Sequence, residues 1–283
     1  MGKHIPGEPN VVVRNVPGAG SLVLMNQVAN TMPADGLNIA SVGSGIPFEP
    51  LFDNDQANFD IESVHWLGNI LETTSTAGLV RKSSGIDHWE QLRDQTLTVG
   101  ATSTTSNTGI IPRAIAELIG LKLNVITGYP GQNDIILAME RGEVDGMGSY
   151  FMPSLRVGHP EFLEEDSDYK IIYQLGLAPD ADIPDVPMVS EMAETDAQRQ
   201  AINILATRLA FGRPFVAPPG VPANRVAALQ KAMYDVVNDP EFLAEAKHAN
   251  MQIDYTSPEK LLGFYREAYK SDPEVVRTVS DVL

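Results

Sequence analysis

The sequence predicts an α/β protein built as two lobes, and three observations predict it. Residues 10–42 run strand, Gly-rich turn, helix, turn, strand, the rhythm of a βαβ unit. The same rhythm returns over residues 97–148. The pattern changes near residues 84 and 213, so residues 84–213 read as one lobe inserted into another made of residues 1–83 and 214–283. Two crossing strands would then join the lobes, a natural hinge.

Each element follows from its residues. Residues 10–16 (NVVVRNV) are rich in β-branched side chains and read as a short buried strand. Pro17, Gly18, Ala19 and Gly20 turn the chain, and Ser21 is placed to cap a helix running to Met32. Ala34, Asp35 and Gly36 turn it again before a strand at 38–42, which Gly43, Ser44 and Gly45 close. In open parallel sheets ligands bind outside the carboxyl ends of strands, where both of these turns fall. Residues 64–71 and 76–80 read as strands, and 87–94 as a short helix capped by Asp87. A strand at 97–100 leads into a run of small hydroxyl residues, ATSTTSNT at 101–108, and a helix at 109–119. Pro112 lies in its first turn, where Pro is tolerated, and Gly120 at its stop. A strand at 124–127 is followed by the turn GYPG, then by a helix at 135–141 capped by Asn133 or Asp134 and ended by Gly142. Residues 144–148 and 171–175 complete the strands of this lobe, and an acidic, Pro-rich loop covers 179–187. A helix is expected at 195–206, and an extended strand at 214–217. The amphipathic helix at 222–237 puts Val226, Leu229, Met233, Val236 and Val237 on one face, and helices at 239–249 and 257–270 follow.

Composition narrows the function. The net charge is -17, the sequence pI is about 4.6, and no block of Lys or Arg stands out. Phosphate neutralisation needs clustered cations, so nucleic acid is not an expected partner, nor is an anionic membrane surface. An acidic protein also repels organic acids at long range, so an anion site here must act at short range through directed N–H and O–H donors. Cys is absent, which removes disulfides and thiolate metal sites. There is no run of eighteen apolar residues to span a bilayer. The first residues, MGKHIPGEPN, lack the apolar stretch of a signal peptide, so the signal of an exported protein would lie upstream of them.

The hydroxyl run Thr102, Ser103, Thr104, Thr105, Ser106 and Asn107, between strand and helix, is the most informative feature. A helix start carries unpaired N–H donors and partial positive charge, and added hydroxyls make an anion cradle without Lys or Arg. Ordinary capping and solvation of a helix start also fit the run. It is not a phosphate loop, since no Gly-Lys-Ser/Thr follows. The turn Gly128–Asp134, GYPGQND, again lies between strand and helix. Tyr129 there supplies an apolar wall with a polar tip. A tight turn with an N-cap fits as well, but the turn would face the same edge as the hydroxyl run. In GEVDG at 142–146 a helix stop with solvated acids is preferred over an acid/base pair. The five His form no metal pattern, no nucleophile elbow is present, and Gly18-Ala19-Gly20 lacks the rest of a dinucleotide fingerprint. No metal, cofactor or catalytic residue is therefore called.

His4-Ile5-Pro6-Gly7, then Val12-Val13-x-Asn15-x-Pro17-Gly18-Ala19-Gly20-Ser21, resembles the front of tripartite tricarboxylate transporter receptors, the Bug or TctC-like family. Asp35-Gly36, Leu79-Val80-Arg81-Lys82-x-Ser84-Gly85, Val99-Gly100-Ala101-Thr102 and Gly128-Tyr129-x-Gly131 match in order. So do the stretches at 137–146 and 214–222. The resemblance implies a two-lobed, type II periplasmic-binding-protein-like fold and a periplasmic receptor. It implies a small organic acid as ligand and membrane transporter subunits as partners. It carries ligand contact to Thr102, Ser103, Thr104, Thr105, Ser106 and Asn107, and to Tyr129, Gly131, Gln132 and Asn133. Gly18, Gly20, Ser21 and Ser44 would act from the opposite lobe. Ser103 to Asn107 depart from the family's Gly-rich wording. The resemblance also implies that the family's first strand is absent, so the sheet of the first lobe would carry a gap, rearrange, or borrow a strand by self-association. A ligand-sensing module, or an enzyme on a similar bilobal frame, is the alternative; the latter would need an acid/base or nucleophile pair, and none can be named.

Overall fold

The computed structural model describes residues 1–71, 75–104, 106–209, 212–249, 251 and 253–283. The chain divides into two compact units, Met1–Thr73 with Ala210–Ser271, and Thr74–Leu209 with Asp272–Leu283.

In the first unit, helix α1 (Leu22–Asn30) precedes the two-residue strand β1 (Ala40–Ser41) and the long strand β2 (His65–Leu71). Further along the chain this unit takes up β8 (Pro214–Ala217), α6 (Ala223–Val237), α7 (Pro240–His248), β9 (Ile253–Thr256) and α8 (Pro258–Ala268). The sheet order is β1-β8-β2-β9, and every pairing is antiparallel. The predicted amphipathic face of α6 is the buried one, and Val226 and Leu229 meet Leu67, Ala217 and Val221. Asn69 is fully buried, but both ends of its amide are used: its oxygen accepts the Arg213 N–H at 3.1 Å, and its nitrogen donates to the Leu71 carbonyl at 2.7 Å.

The second unit holds β3 (Thr76–Arg81), β4 (Leu97–Ala101), α2 (Asn107–Ile119), β5 (Leu123–Thr127), α3 (Gln132–Arg141), β6 (Gly146–Phe151), α4 (Met152–Gly158), β7 (Tyr169–Leu175), α5 (Asp196–Leu209) and α9 (Pro273–Val282). Its sheet order is β5-β4-β6-β3-β7. β4 runs parallel to β5 and β6, whereas β3 is antiparallel to both its neighbours. Leu79, Ile135, Met139, Met147, Tyr150 and Leu155 share one core cluster. Tyr173 is fully buried: its ring fills the space above Gly78, where a Cβ would lie 2.4 Å from it, and its hydroxyl donates to the Gly148 carbonyl at 2.8 Å.

Four expectations are corrected. Residues 10–16 form no strand but exposed, irregular chain, with Val13 83% exposed. The βαβ rhythm read there is absent, because β1 pairs antiparallel with β8, brought from far along the chain. The division falls at 73/74 and 209/210 instead of 83/84 and 213/214, since β3 pairs within the second sheet. The last helix also belongs to the second unit, where Val275 and Val279 are buried and α9 packs on α5 and α2, so the chain passes between units three times. α4, β9 and α9 had no counterpart among the expected elements.

Two outcomes are expected. Val12→Lys should change unfolding free energy by no more than about 0.5 kcal/mol in urea, as for other exposed positions. Tyr173→Phe should cost about 1–3 kcal/mol, because a buried carbonyl loses its donor. A large cost for Val12→Lys would place that segment in a core. A third outcome concerns acid. The Asp239 carboxyl is held down to about 2, first by the Glu241 N–H and then by Lys3, with His4 adding to it. That value lies below the ordinary 3.8, so the contribution is complete above about 3.8 and is lost as pH falls through about 2. Asp239→Asn should flatten this part of the acid unfolding curve.

Candidate functional site

The second unit presents the hydroxyl run and the GYPG turn side by side. β4 and β5 are parallel and in register, Gly100 beside Ile126 and Ala101 beside Thr127, so the two chains leave the sheet together. The Tyr129 N–H donates to the Ala101 carbonyl at 3.3 Å, which ties one turn to the other strand. Gly100 lets both close in: a Cβ there would lie 3.3 Å from the Tyr129 ring and 2.5 Å from Ile135.

Three hydroxyls shape the loop by bonding to one another. Thr102 Oγ1 donates to Ser106 Oγ at 2.9 Å, and Thr108 Oγ1 lies 3.0 Å from Thr102 Oγ1 and 2.8 Å from Ser106 Oγ. Ser106 Oγ donates to the Ser103 carbonyl at 3.0 Å and accepts the Ser103 N–H at 3.2 Å. Thr108 Oγ1 accepts the Thr102 N–H at 3.0 Å, and Ser103 Oγ accepts the Ser106 N–H at 3.0 Å. Each hydroxyl owns one proton, and those of Thr102, Ser106 and Thr108 all have acceptors within the loop. Thr102 and Ser106 therefore build the loop's shape, and main-chain N–H groups at the helix starts are donors that these hydroxyls leave open. Thr104 is exposed, Ser103 and Asn107 are half-buried, and Thr105 lies outside the described residues.

The helix starts supply those donors. Ser106 is the N-cap of α2 but makes no side-chain cap bond, its hydroxyl being engaged as above, and its carbonyl accepts from Gly109 and Ile110. The N–H groups of Asn107 and Thr108 have no acceptor among the described residues. In α3 the cap is Gly131, not Asn133 or Asp134, and Gln132 and Asn133 are the first helical residues. The two starts differ in charge: α2 has no acidic residue in its first turn, and α3 has Asp134. An anion is therefore better placed at α2.

In the first unit, Gly18, Ala19, Gly20 and Ser21 all have positive φ, at 131°, 42°, 62° and 91°. Ala19 and Ser21 carry that conformation at a steric cost. Ser21 precedes α1 but makes no side-chain cap bond, unlike its expected role. This turn meets the second glycine turn: a Cβ on Gly43 would lie 2.8 Å from the Gly20 carbonyl oxygen and 3.7 Å from Ser21 Oγ. Ser44, next along, is 5% exposed. Gly18, Gly20, Ser21 and Ser44 thus belong to one local constellation, the second unit's residues to another.

Two residues escaped sequence reasoning. Arg113, four residues after Gly109, donates through Nε to the Gly109 carbonyl at 3.0 Å and through Nη2 to the Thr104 carbonyl. It is a cation set directly behind the loop; a lone Arg on a helix gave no signal beyond its spacing. Asp145 was read as a solvated acid, but it accepts from Arg81 Nη2 and from the Thr98 N–H, both at 3.2 Å, and so joins β3, β4 and the start of β6. Gly142 does stop α3, with φ 77°. Among the described residues there is no group of three or more acidic or His side chains placed to hold a metal ion, and no helix long and apolar enough to cross a membrane.

The family described as tripartite tricarboxylate transporter family receptor matches residues 4–280. No curated protein matches by sequence. Among solved structures, a TctC solute-binding protein from Polaromonas is 16% identical with a TM-score of 0.68, over 99% of this chain and 89% of its own. A protein of R. palustris solved with adipate is 15% identical with a TM-score of 0.67, over 95% and 86%. MatC from Rhodopseudomonas palustris, solved with bound malate, is 17% identical with a TM-score of 0.64, over 92% and 85%. At these identities the structures establish the shared fold.

The hydroxyl cluster makes a prediction of its own. Ser106→Ala and Thr108→Val should each cost about 1–3 kcal/mol in urea unfolding, as each strands a polar partner. The double variant should cost less than the sum, since the second change removes a group already stranded. Strict additivity would mean that the three hydroxyls do not act together.

Proposed function

The chain belongs to the tripartite tricarboxylate transporter family of receptors, and from that premise we propose that it is a periplasmic receptor that holds a small dicarboxylate by main-chain N–H groups and passes it to membrane transporter subunits. The observation that carries this reading is the start of α2. Its first two N–H groups have no acceptor among the described residues, no acid lies in its first turn, and the hydroxyls beside it are engaged with one another. A carboxylate there gains directed donors and the positive end of a helix, without a field of Lys and Arg. This is how a protein of net charge -17 can hold an anion at all.

Tyr129, Gly131, Gln132 and Asn133 complete the pocket on the same side, with Tyr129 as its apolar wall. In the first unit, Gly18, Gly20, Ser21 and Ser44 form a constellation of their own, where Gly43 lets two turns close on each other. The solved relatives with adipate and malate support an organic acid as guest. They share the fold, and their guests share two carboxylates separated by a short carbon chain.

A thermal-shift panel of acetate, malate, adipate and citrate tests this. A bound acid at a hundred times its Kd should stabilise by about 2.7 kcal/mol, and the dicarboxylates should give the largest shifts. A folded protein that none of the four stabilises would overturn the reading. The site is tested separately by Asn107→Asp. An acid in the first turn of α2 should stabilise the helix by about 0.3–1 kcal/mol while weakening dicarboxylate binding at least tenfold. Unchanged binding would move the site elsewhere.

A further inference from the structure

We infer that Arg113 is a positioning residue for the proposed anion site, acting through the two carbonyl groups that its guanidinium holds. The inference rests on the receptor reading and says what makes the site favourable to an anion. Arg113 sits in the second turn of α2, half-buried behind the loop. Its Nε reaches the Gly109 carbonyl at 3.0 Å, and its Nη2 reaches the Thr104 carbonyl on the far side of the hydroxyl run. One planar fork thus spans the loop from Thr104 to the first turn of the helix.

Two effects follow. Carbonyl oxygens are the negative ends of the peptide dipoles, and near an anion site they repel the guest. Drawn onto the guanidinium, the Thr104 and Gly109 oxygens have their partial charge met by a cation, so an arriving carboxylate meets N–H groups in their place. The second effect is the charge itself. Gly109 is the third residue of α2 and Asn107 the first, so a positive side chain bonded to Gly109 lies within a few ångströms of the helix start. In a chain with 37 acidic and 20 basic side chains, one cation fixed at this point offsets at short range the net repulsion of an anion. Arg113 acts here through the Gly109 and Thr104 carbonyls that its Nε and Nη2 hold, not by touching the guest.

The test compares Arg113→Gln and Arg113→Lys with the unaltered chain by calorimetric titration with malate and adipate at low and at physiological salt. Loss of a charged hydrogen-bond donor should weaken binding roughly tenfold in Arg113→Gln and flatten its salt dependence. Arg113→Lys keeps the charge but cannot reach both carbonyls at once. It should retain the salt dependence and lose only part of the affinity. Amide hydrogen exchange at Ser103, Thr104 and Ser106, measured without acid, should be faster in both variants. If the unaltered chain binds while Arg113→Gln binds equally well, or if all three share one salt dependence, this inference is overturned and the receptor reading stands. If the unaltered chain binds neither acid, the receptor reading falls first and takes the role of Arg113 with it.

Discussion

Three hydroxyl groups that satisfy one another govern the mouth of the second unit. Thr102, Ser106 and Thr108 lie on the end of β4, on the loop and inside α2, so their mutual bonds fasten a strand, a turn and a helix at a single point. Unsatisfied, the same groups would compete for water, and the loop would sample many shapes, at a cost in backbone entropy to the anion binding proposed above. Satisfied, they leave the main-chain donors of α2 in place beforehand. Preorganisation of this kind lowers the cost of binding without adding a contact.

The two units answer the same folding problem with different sheets. In the second, β4, β5 and β6 run parallel, and the loops that leave β4 and β5 must emerge at one end. In the first, all pairings are antiparallel, and the turns at 18–21 and 43–45 meet by the close approach of glycine backbones. A parallel pair aligns donors through strand direction, while a glycine contact aligns them through the absence of a side chain. Four successive positive φ values at 18–21 show how much local conformation the second route demands.

Much of this was legible in the residues, and the failures share a cause. β2, β3, β4, β5, β7, β8, α2, α3 and α6 all fall within a few residues of their sequence expectations, because apolar period and glycine stops are local signals. Gly120 and Gly142 end their helices with φ of 70° and 77°, as their positions foretold. The placement of the hydroxyl run and of the GYPG turn just past the ends of β4 and β5 was equally local. What was not legible depends on distant partners. NVVVRNV has the composition of a strand but takes part in no ladder here, and β1 is fixed by β8 some 170 residues later. The expected donors Thr102 and Ser106 look outward on paper, and only the path of α2 reveals Thr108 as the third hydroxyl that engages them. Arg113 and Asp145 were passed over because a charged side chain names its partner only in three dimensions.

The exposed triple valine has a consequence for handling the protein. Val11, Val12 and Val13 show 47%, 69% and 83% of their surface to water, in a stretch whose single ionic side chain is Arg14. Short, β-prone, nearly uncharged segments are where cross-molecule strands begin, and one flanking charge is a thin guard. The net charge of -17 sets mutual repulsion against such pairing. Clouding and precipitation should therefore set in first near the isoelectric point of about 4.6 or in concentrated salt, where that mutual repulsion vanishes while the valines stay as sticky as before.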